Sequence, residues 1–159
     1  MGIIGGGGGG GGGVGLTGPN SSGALVMVAG DDTDCTDADT WYVTQGTFIG
    51  VGLQDCTVSS AGLFTYTGAV AKKFLISGVF SVIVDKACTL MFGSRINGVD
   101  QPGGVPRVFP AQSPNGDAVQ FGIAELNPGD NFLAIMQSDT ANTTVSTVTS
   151  FGTFWSEYV

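Results

Sequence analysis

KKFLISGVFSVIVDKACTLMFGSRING, residues Lys72 to Gly98, reads as two consecutive β-strands, and their patterning decides the fold. In the first, Phe74 to Asp85, the residues Phe74, Ile76, Phe80, Val82 and Val84 share one parity with Gly78. Successive side chains of a strand point to opposite faces, so this set makes a core face. The other parity mixes Leu75, Val79 and Ile83 with Ser77, Ser81 and Asp85. A purely solvated face would not carry three large aliphatics, so the strand is either central in a sandwich or turned toward another subunit. The second strand, Cys88 to Ile96, ends in Asn97-Gly98, a dipeptide that readily takes the left-handed conformations of a tight hairpin turn.

The same reading extends in both directions. Downstream, strands are expected over Val105 to Ala111, Ala118 to Leu126, Asn131 to Ser138 and Thr143 to Val159, with Gln101-Pro102-Gly103-Gly104 and Asn127-Pro128-Gly129-Asp130 as loops. In the closing strand Val148, Phe154 and Tyr158 fall on one parity and Val145, Phe151 and Trp155 on the other, so it too is apolar on both faces. Upstream, Ala24 to Ala29, Trp41 to Thr44, Thr47 to Val51 and Gly62 to Thr67 are shorter candidates. Valine and threonine abound while Lys, Glu, Arg and Gln are scarce, so no segment reads as a helix. About eight to ten strands with frequent turn signals predict an all-β, antiparallel, two-sheet sandwich or jelly roll.

The chain divides into a glycine-rich N-terminal arm, residues 1–23, and a β-sandwich domain, residues 24–159. Nine consecutive glycines, Gly5 to Gly13, follow Met1, Gly2, Ile3 and Ile4. Ordering nine glycines costs on the order of 10 to 20 kcal/mol of backbone entropy, so an ordered arm needs something to hold it. Its backbone can approach other chains more closely than any residue bearing a Cβ. The arm therefore reads as an assembly element, with Ile3 and Ile4 as an apolar tip and Gly5, Gly9 and Gly13 along its length; the plainer alternative is a flexible linker.

Composition limits the partners. The net charge is -8, with five Lys plus Arg against thirteen Asp plus Glu, which argues against nucleic acid. No run approaches a membrane span, and Met1 to Gly13 has neither the basic region nor the apolar core of a signal segment, so assembly in a host cytoplasm is expected. Histidine is absent and Glu125 and Glu157 are the only glutamates, so neither an acid/base pair nor an activated thiol is evident, and no enzyme and no cofactor are expected. Asp31, Asp32, Asp34, Asp37 and Asp39 are a weak candidate for calcium, which wants six to eight oxygens. Without the glycine and terminal glutamate of an EF-hand, a solvated acidic loop is the favoured reading. Cys35, Cys56 and Cys88 read as buried free thiols, with a bridge between Cys35 and Cys56 as the alternative. The sparse basic residues protect strand edges, or else Arg95 or Arg107 pairs with a carboxylate across a subunit interface.

Lys72 to Gly98 resembles the central strand pair of the tumour necrosis factor and complement globular-head jelly roll. AELNPGDNFLAIMQ, Ala124 to Gln137, resembles the turn and apolar strand of the same superfamily, and Phe151-Gly152-Thr153-Phe154 its last core strand. The resemblance implies a homotrimer, with Phe151, Phe154, Trp155 and Tyr158 at the threefold interface. Versions of this fold occur on virus particles as surface knobs or fibre heads behind a slender stalk. The expected function is accordingly a non-enzymatic virion structural protein, at the virion surface and held to a capsid or other virion protein by the arm. The alternatives are an adhesin for a host-surface glycan or receptor, with Pro102 to Arg107 and Gln112 to Asp117 as contact loops, and a secreted complement-like trimer.

Overall fold

The computed structural model describes residues 21–103, 106–110 and 116–157. Thirteen strands are formed among them: β1 (Ser22–Gly30), β2 (Asp32–Cys35), β3 (Tyr42–Val43), β4 (Gly46–Gln54), β5 (Cys56–Val58), β6 (Phe64–Tyr66), β7 (Lys72–Val84), β8 (Cys88–Ile96), β9 (Val99–Pro102), β10 (Arg107–Phe109), β11 (Gly116–Leu126), β12 (Asn131–Ser138) and β13 (Thr143–Glu157). They make two antiparallel sheets. The first runs β11-β7-β13-β1-β4, with β2 beside β13; the second runs β10-β8-β12-β6-β5, with β3 beside β12 and β9 beside β8. This is the expected jelly-roll sandwich.

Three short strands lie where the sequence suggested loops or nothing: β2, β5 and β9. β2 is a correction to the acidic loop. Its Thr33 and Cys35 are buried while Asp32 and Asp34 face outward, so strand alternation operates under a run of aspartates. β9 likewise continues the β8 hairpin through Pro102, turning at Asn97 (φ 48) and Gly98 (φ 83). Of the predicted strand from Val105 to Ala111, residues 106–110 are described and Arg107–Phe109 form a strand, while Val105 and Ala111 lie outside the described residues.

β7 alternates as its sequence predicts, with Phe74, Ile76, Phe80, Val82 and Val84 all buried. At roughly 3.3 Å per residue, its 13 residues run about 40 Å along the sandwich. The core along it forms two clusters. One, at the Lys72 end, gathers Phe64, Tyr66, Phe74, Leu126 and Phe132; the other, at the Val84 end, gathers Phe80, Val84, Leu90, Phe92 and Met136. Phe64 packs on Phe132 at 4.6 Å between ring centroids, and Phe80 stacks on Phe92 at 5.0 Å. Between the clusters Gly78 pairs with Gly152, and the missing side chains leave a gap of about 20 Å³ lined by Leu25, Phe80 and Phe132.

β13 departs from strict alternation. Its register with β7 steps from Thr147 opposite Val82 to Thr149 opposite Ser81, so Val148 is the extra residue of a β-bulge. Burial follows: Thr143, Val145 and Thr147 are inside before the bulge and Ser150 is inside after it. Val145 therefore points into the core, opposite Val84, whereas the Phe151 position lies opposite Val79. This corrects the grouping of Val145 with Phe151 and Trp155. At the bulge β13 also changes neighbour, from β2 to β1, and Gly30 comes so close that a Cβ there would lie 1.8 Å from the Thr147 carbonyl oxygen.

Candidate functional site

The outer face of the first sheet is the most conspicuous surface of the molecule. Val79 and Ile49 are 44% and 46% exposed, and Ile83, Val28, Val51 and Ile123 are exposed with them. The registers turn these scattered residues into a pattern. Val119, Val79, Phe151, Val26 and Ile49 are successive Cα partners across β11, β7, β13, β1 and β4, an apolar row across all five strands. One row along come Phe121, Ser77, Thr153, Ala24 and Val51, and the next holds Ile123, Leu75, Trp155, Ser22 and Gln54. Ser77 and Thr153 satisfy each other across the strands, hydroxyl to hydroxyl at 2.8 Å. An apolar row of this kind on an outer face is what water-excluded assembly requires, because solvated sheet faces alternate to polar residues.

The structure separates the four closing-strand residues expected at a trimer interface. Phe151 and Trp155 occupy positions opposite outward-facing Val79 and half-buried Leu75. Phe154 pairs with Ile76, a core position. Tyr158 lies outside the described residues, as do Ile3, Ile4, Gly5, Gly9 and Gly13 of the arm, residues 104–105 of the Pro102 to Arg107 loop and residues 112–115 of the Gln112 to Asp117 loop. Val26, Ile49 and Val51 were not anticipated in the sequence as members of this surface. Each belongs to a strand apolar on both faces, and only strand order joins them to Val79.

The aspartates at the far end of the sandwich are engaged locally. The Ser146 hydroxyl donates to Asp32 Oδ1 at 2.5 Å and the Thr144 hydroxyl to Asp34 Oδ1 at 2.9 Å. Asp31 Oδ1 accepts the Asp32 amide at 2.8 Å, while the Asp37 amide donates to the Tyr42 hydroxyl at 2.9 Å. Asp39 takes a left-handed turn conformation, φ 55. Strand alternation and these bonds spread the five carboxylates apart, and among the described residues no three metal-binding side chains converge.

The basic residues are also accounted for. Arg95 Nε donates to Asp100 Oδ1 at 2.5 Å and its terminal nitrogen to Oδ2 at 3.2 Å, a fork within the β8–β9 hairpin that raises the guanidinium pKa. Arg95 thus has its carboxylate in its own chain, whereas Arg107 is exposed without an ion pair among the described residues. At the end where β1 begins, Lys72 Nζ donates to the buried Ser21 hydroxyl at 2.7 Å and lies 3.7 Å from Asp55. The Ser21 hydroxyl in turn donates to Asp55 at 2.9 Å. This cluster ties the residue before β1 to Asp55, between β4 and β5, and to the start of β7.

All three cysteines are free and buried, which corrects the alternative of a bridge between Cys35 and Cys56. Cys35 belongs to the core cluster at the Val84 end of β7 and Cys56 to the cluster at the Lys72 end. A disulfide needs Cα atoms within about 7 Å of each other, far less than the length of that strand.

No family model and no curated protein matches the sequence. Solved structures do match the fold. The chain is similar to the Eiger TNF of S. frugiperda at a TM-score of 0.57 and 9% identity, over 88% of this chain and 94% of that one. It is similar to murine APRIL, crystallised at pH 5.0, at a TM-score of 0.54 and 15% identity, over 87% of this chain and 100% of that one. A weaker likeness, at a TM-score of 0.46 and 9% identity, is to the globular domain of zebrafish complement 1qA, over 87% of this chain and 97% of that one. The chain has the jelly-roll fold of the tumour necrosis factor class.

Proposed function

We propose that this chain is a non-enzymatic homotrimeric knob whose seam is the outer face of the first sheet. The observation that carries the reading is the apolar row Val119, Val79, Phe151, Val26 and Ile49. Closure in threes is the habit of the class whose fold it shares. The finer reading is a virion structural protein, a capsid decoration or fibre head at the virion surface, attached to a capsid or other virion protein through residues 1–23. The polyglycine tract and the acidic, histidine-free composition support that reading.

Sedimentation of the purified chain tests the trimer. The expected species has three times the 16.1 kDa chain mass. Val79→Asp leaves an isolated subunit folded, because the position faces outward, but places an unpaired carboxylate in the seam. That costs about 3 kcal/mol or more, so the dissociation constant rises more than a hundredfold. A wild-type monomer at tens of micromolar, or an undiminished Val79→Asp trimer, overturns the seam. Deleting residues 1–13 separates the virion reading: particle attachment is lost while the trimer persists, and normal incorporation of the truncated chain refutes the anchor.

A further inference from the structure

We propose that the crevice between β11 and the β8–β9 hairpin binds a neutral, ring-sized molecule with an aliphatic face and a hydroxyl edge. β11 ends the first sheet and β9 pairs only with β8, so the two sheets stop side by side along one open flank of the sandwich. Small residues leave room between them. Gly122 and Ala124 take inward positions of β11, opposite the buried Ile76 and Phe74 of β7, and an added Cβ at Gly122 would meet nothing within 4 Å. The space left is about 200 Å³. An engineered cavity of about 150 Å³ holds benzene, so this crevice has room for a six-membered ring.

The walls set the chemistry. Ile76, Ile96 and Pro102 supply aliphatic surface, and Ser94 and Gln101, Cα partners on β8 and β9, line the crevice together. Ser94 shares the inward parity of Leu90 and Phe92 and is only 7% exposed. Its hydroxyl nevertheless makes no hydrogen bond among the described residues, and neither does the Gln101 side chain. Buried polar groups are almost always satisfied, and a ligand hydroxyl can accept from Ser94 while donating to the Gln101 side-chain oxygen. Among the described residues no charged side chain lines the space. Arg95 and Asp100 lie on the opposite face of the hairpin, bonded to each other, and Glu125 has the outward parity of β11. A charged ligand would be desolvated here without a counter-ion, at far greater cost than a neutral one. Pro102 and Gly103, from a loop the sequence offered as a contact, line the crevice too.

The test is a titration of the isotopically labelled full chain with cyclohexanol, followed by amide NMR, with cyclohexylammonium and cyclohexanecarboxylate as charged counterparts. Cyclohexanol is expected to shift the amides of Ser94, Gln101, Gly122 and Ala124 saturably, while the charged rings bind roughly tenfold more weakly or less. Ser94→Ala weakens cyclohexanol about three- to tenfold, the value of one hydrogen bond. Gly122→Val fills the crevice and abolishes the shifts, and because its Cβ enters free space the variant keeps the wild-type circular dichroism spectrum. No saturable shift, shifts centred on the outer face of the first sheet, or charged rings bound as tightly as cyclohexanol overturns the proposal. So does undiminished affinity in either variant. Where Gly122→Val fails to fold, Ser94→Ala and the charged rings decide.

Discussion

Deleting Val148 and deleting Ser77 each remove one residue from the middle of a long central strand, yet they are expected to have opposite consequences. Val148 is the bulged residue of β13, about half exposed, with Thr147 and Thr149 opposite consecutive residues of β7. Removing it leaves Val145 and Thr147 inside and Ser150 inside, so both faces survive. The loss is confined to the local bend and to the bond from the Thr147 amide to the Asp31 carbonyl at 3.2 Å. Such local effects are worth about 0.5–3 kcal/mol. β7 pairs with β11 without a bulge, so deleting Ser77 turns one half of it over. Either Phe74 and Ile76 or Phe80, Val82 and Val84 leave the core. At about 1.5–3 kcal/mol for each side chain, the loss is roughly 3–9 kcal/mol before cavities are counted, against a total stability of about 5–15 kcal/mol. Urea unfolding followed by circular dichroism separates the two. The Val148 deletion gives a cooperative transition at a modestly lower midpoint, and the Ser77 deletion gives none or one shifted severely. Equal losses in the two deletions would refute the bulge and with it the register that sets the Phe151 position opposite Val79.

Two further predictions concern glycines and acid. Gly30→Ala forces a Cβ against the Thr147 carbonyl oxygen and is expected to cost about 1–3 kcal/mol, whereas Gly152→Ala enters the gap between the core clusters. Its Cβ meets nothing nearer than 3.4 Å, so it is expected to stabilise by about 0.4–1 kcal/mol through lost freedom of the unfolded chain; denaturant midpoints of the two variants check both signs. The Asn127 amide, then the Asn97 side chain, hold the Asp130 carboxyl below its ordinary value, and the Thr89 amide does the same for Asp139. A depressed folded pKa contributes stability above the unfolded value of about 3.9 that is lost as pH falls through the folded value. Urea midpoints should thus hold steady from pH 7 to about 4 and fall below it, with a shallower fall in Asp130→Asn; an identical fall in that variant would remove Asp130 from the account.

What proved legible in the sequence was local. The alternation of β7, the Asn97-Gly98 turn and the turn before Asn131 each depend on residues within a few positions, so they could be read without knowing any neighbour. β2 escaped because four aspartates between Asp31 and Asp37 resemble solvated loop, although Thr33 and Cys35 alternate with two of them as buried strand residues. The closing strand misled for the opposite reason. Val145, Phe151 and Trp155 share a parity by counting, and only the backbone irregularity at Val148 sends Val145 inward and sets the Phe151 position opposite Val79.

By itself, then, the sequence determined an all-β chain with one strongly alternating strand and tight turns, because strand parity and turn chemistry act over two to four residues. The tertiary structure alone decided which apolar faces meet. Phe151 lies 72 positions from Val79 and Val119 lies 70 from Ile49, yet strand order sets all four in one row. The same holds for the thiols: Cys88, rather than Cys56, shares a buried cluster with Cys35. Pairing across a sheet and packing between sheets join residues without regard to their separation along the chain, and no local pattern encodes that choice.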